Sequence, residues 1–398
     1  MFGGSPFGGS PFGGVVVITI VVQSDTRAGE ARGELIFADD REGQASGTFL
    51  TPRPLNYQII IKDRAGNALG QLTNYRKVTF GKRLNNYGSA SFDIMVNDSK
   101  APLFIDPRIN TIEIWREIGF DKVLVWSGEQ ALSNGQLNAS KNNWAEIFCF
   151  DWFEQLRHRY TGAERIFADI DAGTMARTMI DETNTDDATG ITIGTISPTK
   201  NRDRTYSNQN IMEAIINLAN IASGFDFEVT NNKVFNVSSI IGTDKTNSVR
   251  LEYGHNIKNV NIVQDFTTPI NRAIVLGEPT DATTLQRIDI DDAGLQATYG
   301  LREGRLQEMD VSEVATLTDK GTAAINKYGT PLTKVDFDLV SNITPSITDF
   351  GIGDGIRLIV KDGMYNIDSE FRVFEWEMTF DKDNQESLSL TLGNFILT

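Results

Sequence analysis

The chain has 398 residues, with 37 Lys and Arg, 53 Asp and Glu and two His, which gives a net charge of −16. Hydrophobic residues make up 40% of it, enough for a large core, so the composition excludes a disordered chain. The acidic balance argues against a duplex-DNA clamp, which needs clustered Lys and Arg, but is compatible with a surface past which a polyanion slides.

The rare residue types exclude further classes. The single cysteine, Cys149, permits neither a disulfide framework nor a thiolate metal cluster within one chain. The two imidazoles, His158 and His255, lie far apart in the sequence. No apolar run approaches the roughly 20 residues of a membrane span, so no stable membrane insertion is predicted. At roughly 100–200 residues per domain, the length predicts two to four domains.

Residues 1–50 are predicted to form an extended Gly-rich arm followed by a β-segment. The unit Phe-Gly-Gly-Ser-Pro occurs twice within residues 1–14 and begins a third time. Gly and Pro disfavour a helix there, and the unit has too few side chains for a core. The spaced Phe2, Phe7 and Phe12 are therefore either anchors that dock into a partner or part of a plain linker.

The apolar run Val15–Val22 is predicted to be a strand buried against something else, such as another subunit. It faintly resembles a signal peptide, but no Lys or Arg precedes it, and its eight residues are few. A β-branched run of this length is typical of a strand covered on both faces. A second strand is predicted around Leu35–Phe37. Together with the three Phe residues, the candidate partner-docking residues are Val15, Val17, Ile18 and Ile20.

Alternating apolar residues predict a first antiparallel β-barrel over about 51–150. After the boundary at Thr51–Pro54, apolar side chains recur with period two in five short runs separated by turns. Such a series is typical of a small barrel or sandwich. The runs begin at Tyr57, Phe92, Ile112, Val123 and Ile147. Cys149 lies in the last run and is predicted to be a buried structural thiol, because no Cys or His is near it.

The middle block, about 151–255, is predicted to be α+β. Three helices begin at Asp151, at Asp171 and at Ser207 or Asn208. A β-hairpin follows over Phe225–Val237, with its turn at Asn231 and Asn232.

The last block, about 256–398, is predicted to be a second β-barrel with an inserted helix over 312–327. Ser312 is the predicted helix cap, and Pro331 follows the helix end. Alternation along Phe374–Phe380 is matched by Leu388–Leu392 after a turn, which predicts a terminal hairpin.

The sequence shows no nucleophile elbow, no phosphate loop and no H-E-x-x-H motif, so no cofactor is predicted. Asp289–Gly294 resembles the start of a calcium loop, but Ala293 replaces a ligand and Gly300 stands where the bidentate Glu belongs. An acidic turn is therefore favoured. Asp383 and Glu386 lie at the tip of the terminal hairpin, where nothing further supports a weak calcium site.

Glycoside hydrolysis needs only two suitably spaced carboxylates, and Asp151 with Glu154 is the best such pair. The favoured interpretation is a helix cap and a solvated neighbour. The tryptophans are either sugar-stacking platforms or core residues, and the core is favoured. They are Trp115, Trp126, Trp144, Trp152 and Trp376.

A series of local strings follows in a fixed order along residues 51–398. They are Val125-Trp-Ser-Gly128, Asp151-Trp-Phe-Glu-Gln-Leu156, the helix 211–222 with the hairpin 225–237, Asn271-Arg-Ala-Ile-Val-Leu-Gly277, the helix 312–327, Gly353-Asp-Gly-Ile-Arg-Leu358 and the terminal strand pair. In this order they resemble the tail-hub proteins of long-tailed bacteriophages, a family of baseplate hub, or tail-associated, proteins that includes many minor tail proteins.

The resemblance implies an α+β, mostly β fold, with two tail-tube-like antiparallel β-barrels joined by smaller α/β domains. It implies a homotrimer that adapts a six-fold tail tube to a three-fold tip. Its implied partners are the distal tail protein ring, the tape-measure protein and tip or receptor-binding proteins, with DNA only in transit. The protein would be made in the host cytoplasm and act in the virion, without catalysis.

Two alternatives remain open at this stage. One is a tail-associated cell-wall hydrolase or carbohydrate-binding adhesin, which needs a cleft with convergent carboxylates and exposed aromatic residues. The other is the spike-hub of a contractile secretion machine, which normally carries a needle-like β-helix after the hub.

Overall fold

A computed structural model of the protein describes three N-terminal strands and most of residues 57–394. Within that range the residues outside the description are 119–120, 136, 138–142, 222–223, 280–284, 309–310, 340–344 and 381–385. The chain divides into two compact units, Met1–Pro54 and Leu55–Thr398. No helix among the described residues is long and apolar enough to cross a membrane.

The first unit contains a three-stranded antiparallel sheet. Its strands are β1 (Ile20–Ser24), β2 (Ala31–Ile36) and β3 (Ser46–Leu50), in that order. The strand predicted at Val15–Val22 is described from Ile20 onward, where Ile20 lies opposite Leu35. The second predicted strand is confirmed as β2, whereas β3 was not predicted.

The described residues of the second unit form 21 strands and four α-helices. Its strands up to the middle of the chain are β4 (Tyr57–Lys62), β5 (Ala68–Leu72), β6 (Tyr75–Arg83), β7 (Ser89–Met95), β8 (Thr111–Ile118), β9 (Asp121–Gly135), β10 (Trp144–Asp151), β11 (Arg165–Asp171), β12 (Thr192–Ile196), β13 (Asn201–Tyr206), β14 (Asp226–Val229) and β15 (Val234–Ser238). The later strands are β16 (Arg250–Glu252), β17 (Ile257–Asp265), β18 (Arg272–Pro279), β19 (Leu285–Asp291), β20 (Glu303–Gln307), β21 (Leu332–Leu339), β22 (Gly355–Asp362), β23 (Tyr365–Phe380) and β24 (Glu386–Asn394). The helices are α1 (Ala172–Asp186), α2 (Ile211–Ala219), α3 (Ala293–Tyr299) and α4 (Val314–Tyr328), with 3-10 helices at Ala101–Phe104 and Trp152–His158.

Thirteen strands form one sheet that runs through both predicted β-blocks. Its main path is β17-β21-β24-β23-β6-β7-β10-β9-β8-β4-β5. Outside this path, β22 pairs with β23, and β16 pairs with β22. The path ends at β17 and β5, which do not pair with each other, so the described strands form an open sheet and are not closed into two barrels. Alternation indicates that a strand is half buried but does not indicate which strand pairs with it. The sequence pattern therefore did not distinguish one open sheet from two barrels.

The main core lies on one face of this sheet. Tyr57 stacks on Phe380 with 3.9 Å between ring centroids, and Phe80 meets Phe380 and Trp376 edge-on. Aromatic pairs of this kind contribute about 0.5–1.5 kcal/mol each beyond their burial, so they tie the first β-block to the last. Other buried members are the predicted alternating residues Ile59, Ile61, Phe92, Ile94, Ile112, Ile114, Ile147, Leu388, Leu390 and Leu392.

The middle block has a second core, to which both helices and strands contribute. The predicted hairpin is β14 paired antiparallel with β15. Asp171 caps α1 by accepting a bond from Thr174 N at 2.8 Å, and Asp151 caps the 3-10 helix, both as predicted. Helix α2 is capped by Asn210, slightly later than predicted, because the Asn210 side chain accepts from Glu213 N at 3.1 Å.

A third, smaller core lies within the last block. Strand β18 pairs antiparallel with β19 and parallel with β20. The predicted helix 312–327 is α4, whose Leu317 and Ile325 belong to the same cluster as Val275 of β18. Its N-cap is Glu313, not the predicted Ser312. Helix α3 was not predicted.

Candidate functional site

The two β-blocks meet at a seam, defined as Val78–Arg83 of β6 paired with Glu375–Phe380 of β23. Gly81 lies opposite Glu377, and a Cβ at Gly81 would approach Trp376 O to 2.5 Å. The seam therefore needs a glycine because the two backbones are too close for a side chain. Trp126 Nε1 also donates to Gly81 O at 3.2 Å, from the first block.

A buried ion pair lies beneath the sheet and links both blocks. Arg116 of β8 donates from Nε and Nη2 to the two carboxylate oxygens of Glu386 at the start of β24, both at 3.0 Å. The Tyr57 hydroxyl also donates to Glu386, and burial raises the pKa of Tyr57 well above its ordinary value. Glu386, which the sequence placed at a hairpin tip, is thus the centre of a buried inter-block contact.

The sheet face opposite the core is uncovered around the seam and is polar. One row of side chains crosses it from strand to strand, because directly paired residues share a face. The row runs from Asp338 through Ser387, Thr379, Thr79 and Ser91, and beyond Ser91 it reaches Phe148 of β10. The hydroxyls of Thr79 and Thr379 lie 3.0 Å apart, in hydrogen-bond contact. A neighbouring row reads Asn261, Asp336, Ser389 and Glu377.

The charged side chains of this face are largely paired. Arg83 Nε lies 2.7 Å from Glu375, Arg76 Nε lies 3.0 Å from Asp93, and Lys77 Nζ lies 3.6 Å from the same Asp93. In the neighbouring part of the sheet, Lys334 Nζ is 3.7 Å from Asp336, and Asp338 accepts from Asn259. The hydroxyl–acid face is our name for the side of the sheet that faces away from the main core. It comprises β21, β24, β6, β7 and the seam half of β23.

A cavity of about 230 Å³ lies near the seam, between the first block, the β14–β15 hairpin and residues 347–352. Its polar lining includes Lys82, whose Nζ donates to Val229 O at 3.0 Å. Burial lowers the pKa of Lys82. Its apolar lining includes Val125, Phe350 and Trp376, so the cavity is a mostly hydrophobic recess at a junction of structural parts.

The predicted carboxylate pair is structural. Asp151 is buried, and its side chain accepts from Gly88 N at 2.7 Å and Phe153 N at 3.2 Å. Burial raises the pKa of Asp151 from 3.8 to about 6, although Lys82, 3.9 Å away, and these N–H groups lower it. The carboxylate therefore serves as an internal cap without access to a substrate.

Glu154 is likewise buried, at 1% exposure, so the prediction of a solvated residue was wrong. Arg108 donates to both of its oxygens, at 2.7 and 3.1 Å. A bidentate pair of this kind fixes the orientation of the carboxylate. Since Asp151 and Glu154 face different partners inside the protein, the structure does not bring them together as a hydrolytic pair.

The tryptophans confirm the core interpretation in three cases. Trp126, Trp152 and Trp376 are buried. Trp144 lies on the sheet surface with the Arg76 guanidinium 4.0 Å from its ring centroid, and Trp115 donates to Glu113. Cys149 is fully buried, and burial raises the pKa of its thiol well above the ordinary value.

The acidic side chains of the turn 289–294 all make local contacts. Asp289 binds Arg287, Asp291 binds Arg272, and Asp292 caps α3. Within the residues that the structure describes, no group of three or more His, Cys, Asp or Glu could hold a metal ion.

The predicted docking residues cannot be placed in a site. Phe2, Phe7, Phe12, Val15, Val17 and Ile18 lie outside the described residues, and Ile20 is described only as the first backbone position of β1. The sequence did not reveal the seam or the Arg116–Glu386 pair, because both join residues hundreds of positions apart. The alternation of Thr and Glu with apolar residues along β23 was the only signal for the hydroxyl–acid face.

The fold is that of a β-rich protein in which two β-blocks share one sheet with a polar face. Residues 244–398 match the model of the prophage endopeptidase tail family. No curated protein matches the chain.

Solved structures share this fold. The prophage MuSo2 43 kDa tail protein from Shewanella oneidensis is 13% identical, with a TM-score of 0.58 over 85% of this chain and 98% of that one. The tail protein from Neisseria meningitidis MC58 is 12% identical, with a TM-score of 0.57 over 85% and 96%. A chain of the Francisella PdpA–VgrG complex is 10% identical, with a TM-score of 0.51 over 86% and 58%. The predicted resemblance to phage tail proteins is confirmed.

Proposed function

We propose that the protein is a structural hub of a phage tail tip. Three copies would adapt the six-fold tail tube to the three-fold tip and form part of the conduit for the tape-measure protein and DNA. The observation that carries the proposal is the seam, which joins two β-blocks into one continuous sheet with a polar, uncovered face. Such a sheet supplies a rigid wall, and the phage tail proteins that share the fold support a place in the tail.

The proposed location is the virion, after synthesis in the host cytoplasm. The proposed neighbours are the distal tail protein ring, the tape-measure protein and tip or receptor-binding proteins. Tube-like closure of the β-blocks would then arise from contacts between subunits, since the strands at the two ends of the main path, β17 and β5, each pair with a described strand on one side only. Unpaired strand edges are suited to pairing with another chain.

Mass measurement in solution tests the trimer. Light scattering at several concentrations is expected to give three times the 44.1 kDa chain mass. If the isolated chain stays monomeric, quantitative composition of assembled tails decides the question, because an upper ring can be required for assembly. A copy number per tail that is not a multiple of three contradicts the proposal.

The arm has a separate proposed role. Phe2, Phe7, Phe12 and the apolar residues Val15, Val17, Ile18 and Ile20 would dock into a neighbouring protein in the assembled tip. Deletion of residues 1–22 is expected to leave the second unit folded but to prevent assembly. Normal assembly of the shortened chain would refute this role.

We propose that the protein acts without catalysis, and the alternative is a cell-wall hydrolase. The family description names an endopeptidase, which favours testing that alternative directly. Against it, the best carboxylate pair, Asp151 and Glu154, is buried and engaged with Gly88, Phe153 and Arg108. Incubation with purified host cell walls is expected to release neither peptides nor sugars. Release that survives in Glu154→Gln would place activity elsewhere in the chain and overturn the non-catalytic proposal.

A further inference from the structure

A row of alternating charges lies in the first block, away from the seam, where it meets the 3-10 helix Trp152–His158. In order, the row is Arg64, Glu129, Arg108, Glu154 and Arg157, and successive charged groups are 3.8, 3.5, 2.7 and 3.7 Å apart. The two carboxylates are buried, whereas the arginines at the two ends are exposed. We call these five residues the arginine row. It begins and ends with a cation that faces water.

The two end arginines are bound less closely than the central one. Arg108 makes a bidentate contact with Glu154, at 2.7 and 3.1 Å. Arg64 comes no closer than 3.8 Å to Glu129, and Arg157 no closer than 3.7 Å to Glu154, which is beyond hydrogen-bond distance. A guanidinium carries five N–H donors in a planar fork that matches a carboxylate. Each end arginine can therefore bond a further carboxylate.

The neighbouring charges do not supply that carboxylate. Lys233 lies close to both Glu129 and Arg64, because the first raises its pKa and the second lowers it, while burial lowers it most. Lys233 thus adds a cation to this end of the row. The carboxylate of Asp63, next to Arg64 in the chain, accepts from the backbone and side chain of Asn67.

Two exposed aliphatic side chains flank Arg108 in the loop before β8. They are Ile105 and Ile109, with Asp106 exposed to solvent between them. The backbone of Arg108 has a φ of +69°, which a residue other than glycine keeps only where its surroundings enforce it. Its N–H donates to Gln130 O at 2.9 Å. A loop that is already fixed loses little conformational entropy when a partner covers it.

From these features we propose that the arginine row and the loop 105–109 form a docking surface for an acidic segment of a neighbouring tail protein. Carboxylates of that segment would bond the two end arginines, and its apolar side chains would cover the two isoleucines. Arginine and apolar side chains together are typical of protein interfaces. A phosphate polymer would satisfy the arginines but would offer nothing to the isoleucines. The inference rests on the proposed function, since it takes the protein to be part of a tail.

Photo-crosslinking in assembled tails tests the surface. The photoreactive residue p-benzoylphenylalanine replaces Ile109, and mass spectrometry maps the residue to which it becomes attached. We expect attachment to a segment of another tail protein that is rich in Asp and Glu. Ile166 of β11 is the matched control position, because it is exposed to 57% against 52% for Ile109. Crosslinks from Ile166 should not reach the same segment.

Removal of the end arginines tests the chemistry of recognition. Arg64→Gln with Arg157→Gln should lower the crosslink yield from Ile109 about tenfold or more, because each substitution removes a charge-assisted hydrogen bond to the partner. The matched control, Arg177→Gln with Arg250→Gln, removes the same charge from two other exposed arginines and should leave the yield unchanged. Urea denaturation should give the same stability for both variants, since exposed ion pairs contribute little.

Three results would overturn the inference. Crosslinks from Ile109 to a second copy of this chain would show that the surface joins identical subunits. Absence of crosslinks in tails that contain the chain would show that the surface stays open to solvent. An unchanged yield after loss of both end arginines would show that carboxylates do not hold the partner. A copy number per tail that is not a multiple of three would refute the proposed hub but not this surface, so the two failures are distinguishable.

Discussion

Two ion pairs join the same two β-blocks, and they lie on opposite sides of one sheet. Arg116 and Glu386 lie beneath it, with side-chain exposures of 3% and 2%. Arg83 and Glu375 lie on the uncovered face, with exposures of 46% and 32%. The second pair is the shorter, at 2.7 Å against 3.0 Å, yet distance alone does not decide what each contributes.

The difference shows that the two sides of the sheet contribute differently to stability. A buried pair must satisfy its charges inside the protein, so the loss of one partner leaves a charge that water cannot reach. An exposed pair is solvated in either state, so its loss costs little. The buried side can therefore fix the two blocks together, while charges on the uncovered side can change without unfolding the chain.

The largest predicted effect is the loss of the buried carboxylate. Glu386→Gln leaves the Arg116 charge uncompensated and weakens the acceptor of Tyr57. We expect the free energy of unfolding to fall by about 3–5 kcal/mol, measured by urea denaturation. Replacement of both partners, Arg116→Met with Glu386→Leu, is the control and should recover most of that loss. If Glu386→Gln costs under about 1 kcal/mol, the pair is not a buried link between the blocks.

The second predicted effect concerns Asp151 and pH. Burial raises the pKa of Asp151 from 3.8 to about 6, so between these values the folded protein binds more protons than the unfolded chain. The contribution to stability is therefore fully present below pH 3.8 and is lost as the pH rises through about 6. Two pKa units correspond to about 3 kcal/mol.

Comparison with Asp151→Asn measures this contribution, because the variant keeps the shape but cannot titrate. The wild type should lose about 2 kcal/mol of stability relative to the variant between pH 4 and pH 7. The carboxyls whose pKa is lowered, such as Asp171 and Asp368, make stability rise with pH in both proteins. Their contribution therefore cancels when the two proteins are compared. A constant difference across this range would mean that Asp151 stays accessible to water.

Much of the fold follows from local sequence. Period-two alternation identified the buried face of most long strands, and Asp caps located the first two helices of the middle block. Helix α3 was missed because none of its seven residues is buried, so it has no apolar stripe. The shared sheet was missed because β6 and β23 are about 300 residues apart, and alternation carries no information about pairing.

The site was less accessible to prediction for the same physical reason. Glu154 and Glu386 look solvated in the sequence, since a carboxylate is normally exposed. Their burial depends on Arg108 and Arg116, which lie 46 and 270 positions away. A distant partner that neutralises a charge leaves no local pattern.

The smallest predicted effect is the loss of the exposed ion pair on the hydroxyl–acid face. A double-mutant cycle with Arg83→Gln and Glu375→Gln should give a coupling energy of about 0.2–1 kcal/mol, measured by urea denaturation. Because both side chains contact water, this coupling should fall further in 1 M salt, where the Debye length is about 3 Å. The same cycle on Arg116 and Glu386 should give a larger coupling that salt barely changes. If the two couplings were equal and equally sensitive to salt, water would reach both sides of the sheet, and the division between a buried side that fixes the blocks together and a solvated side would be wrong.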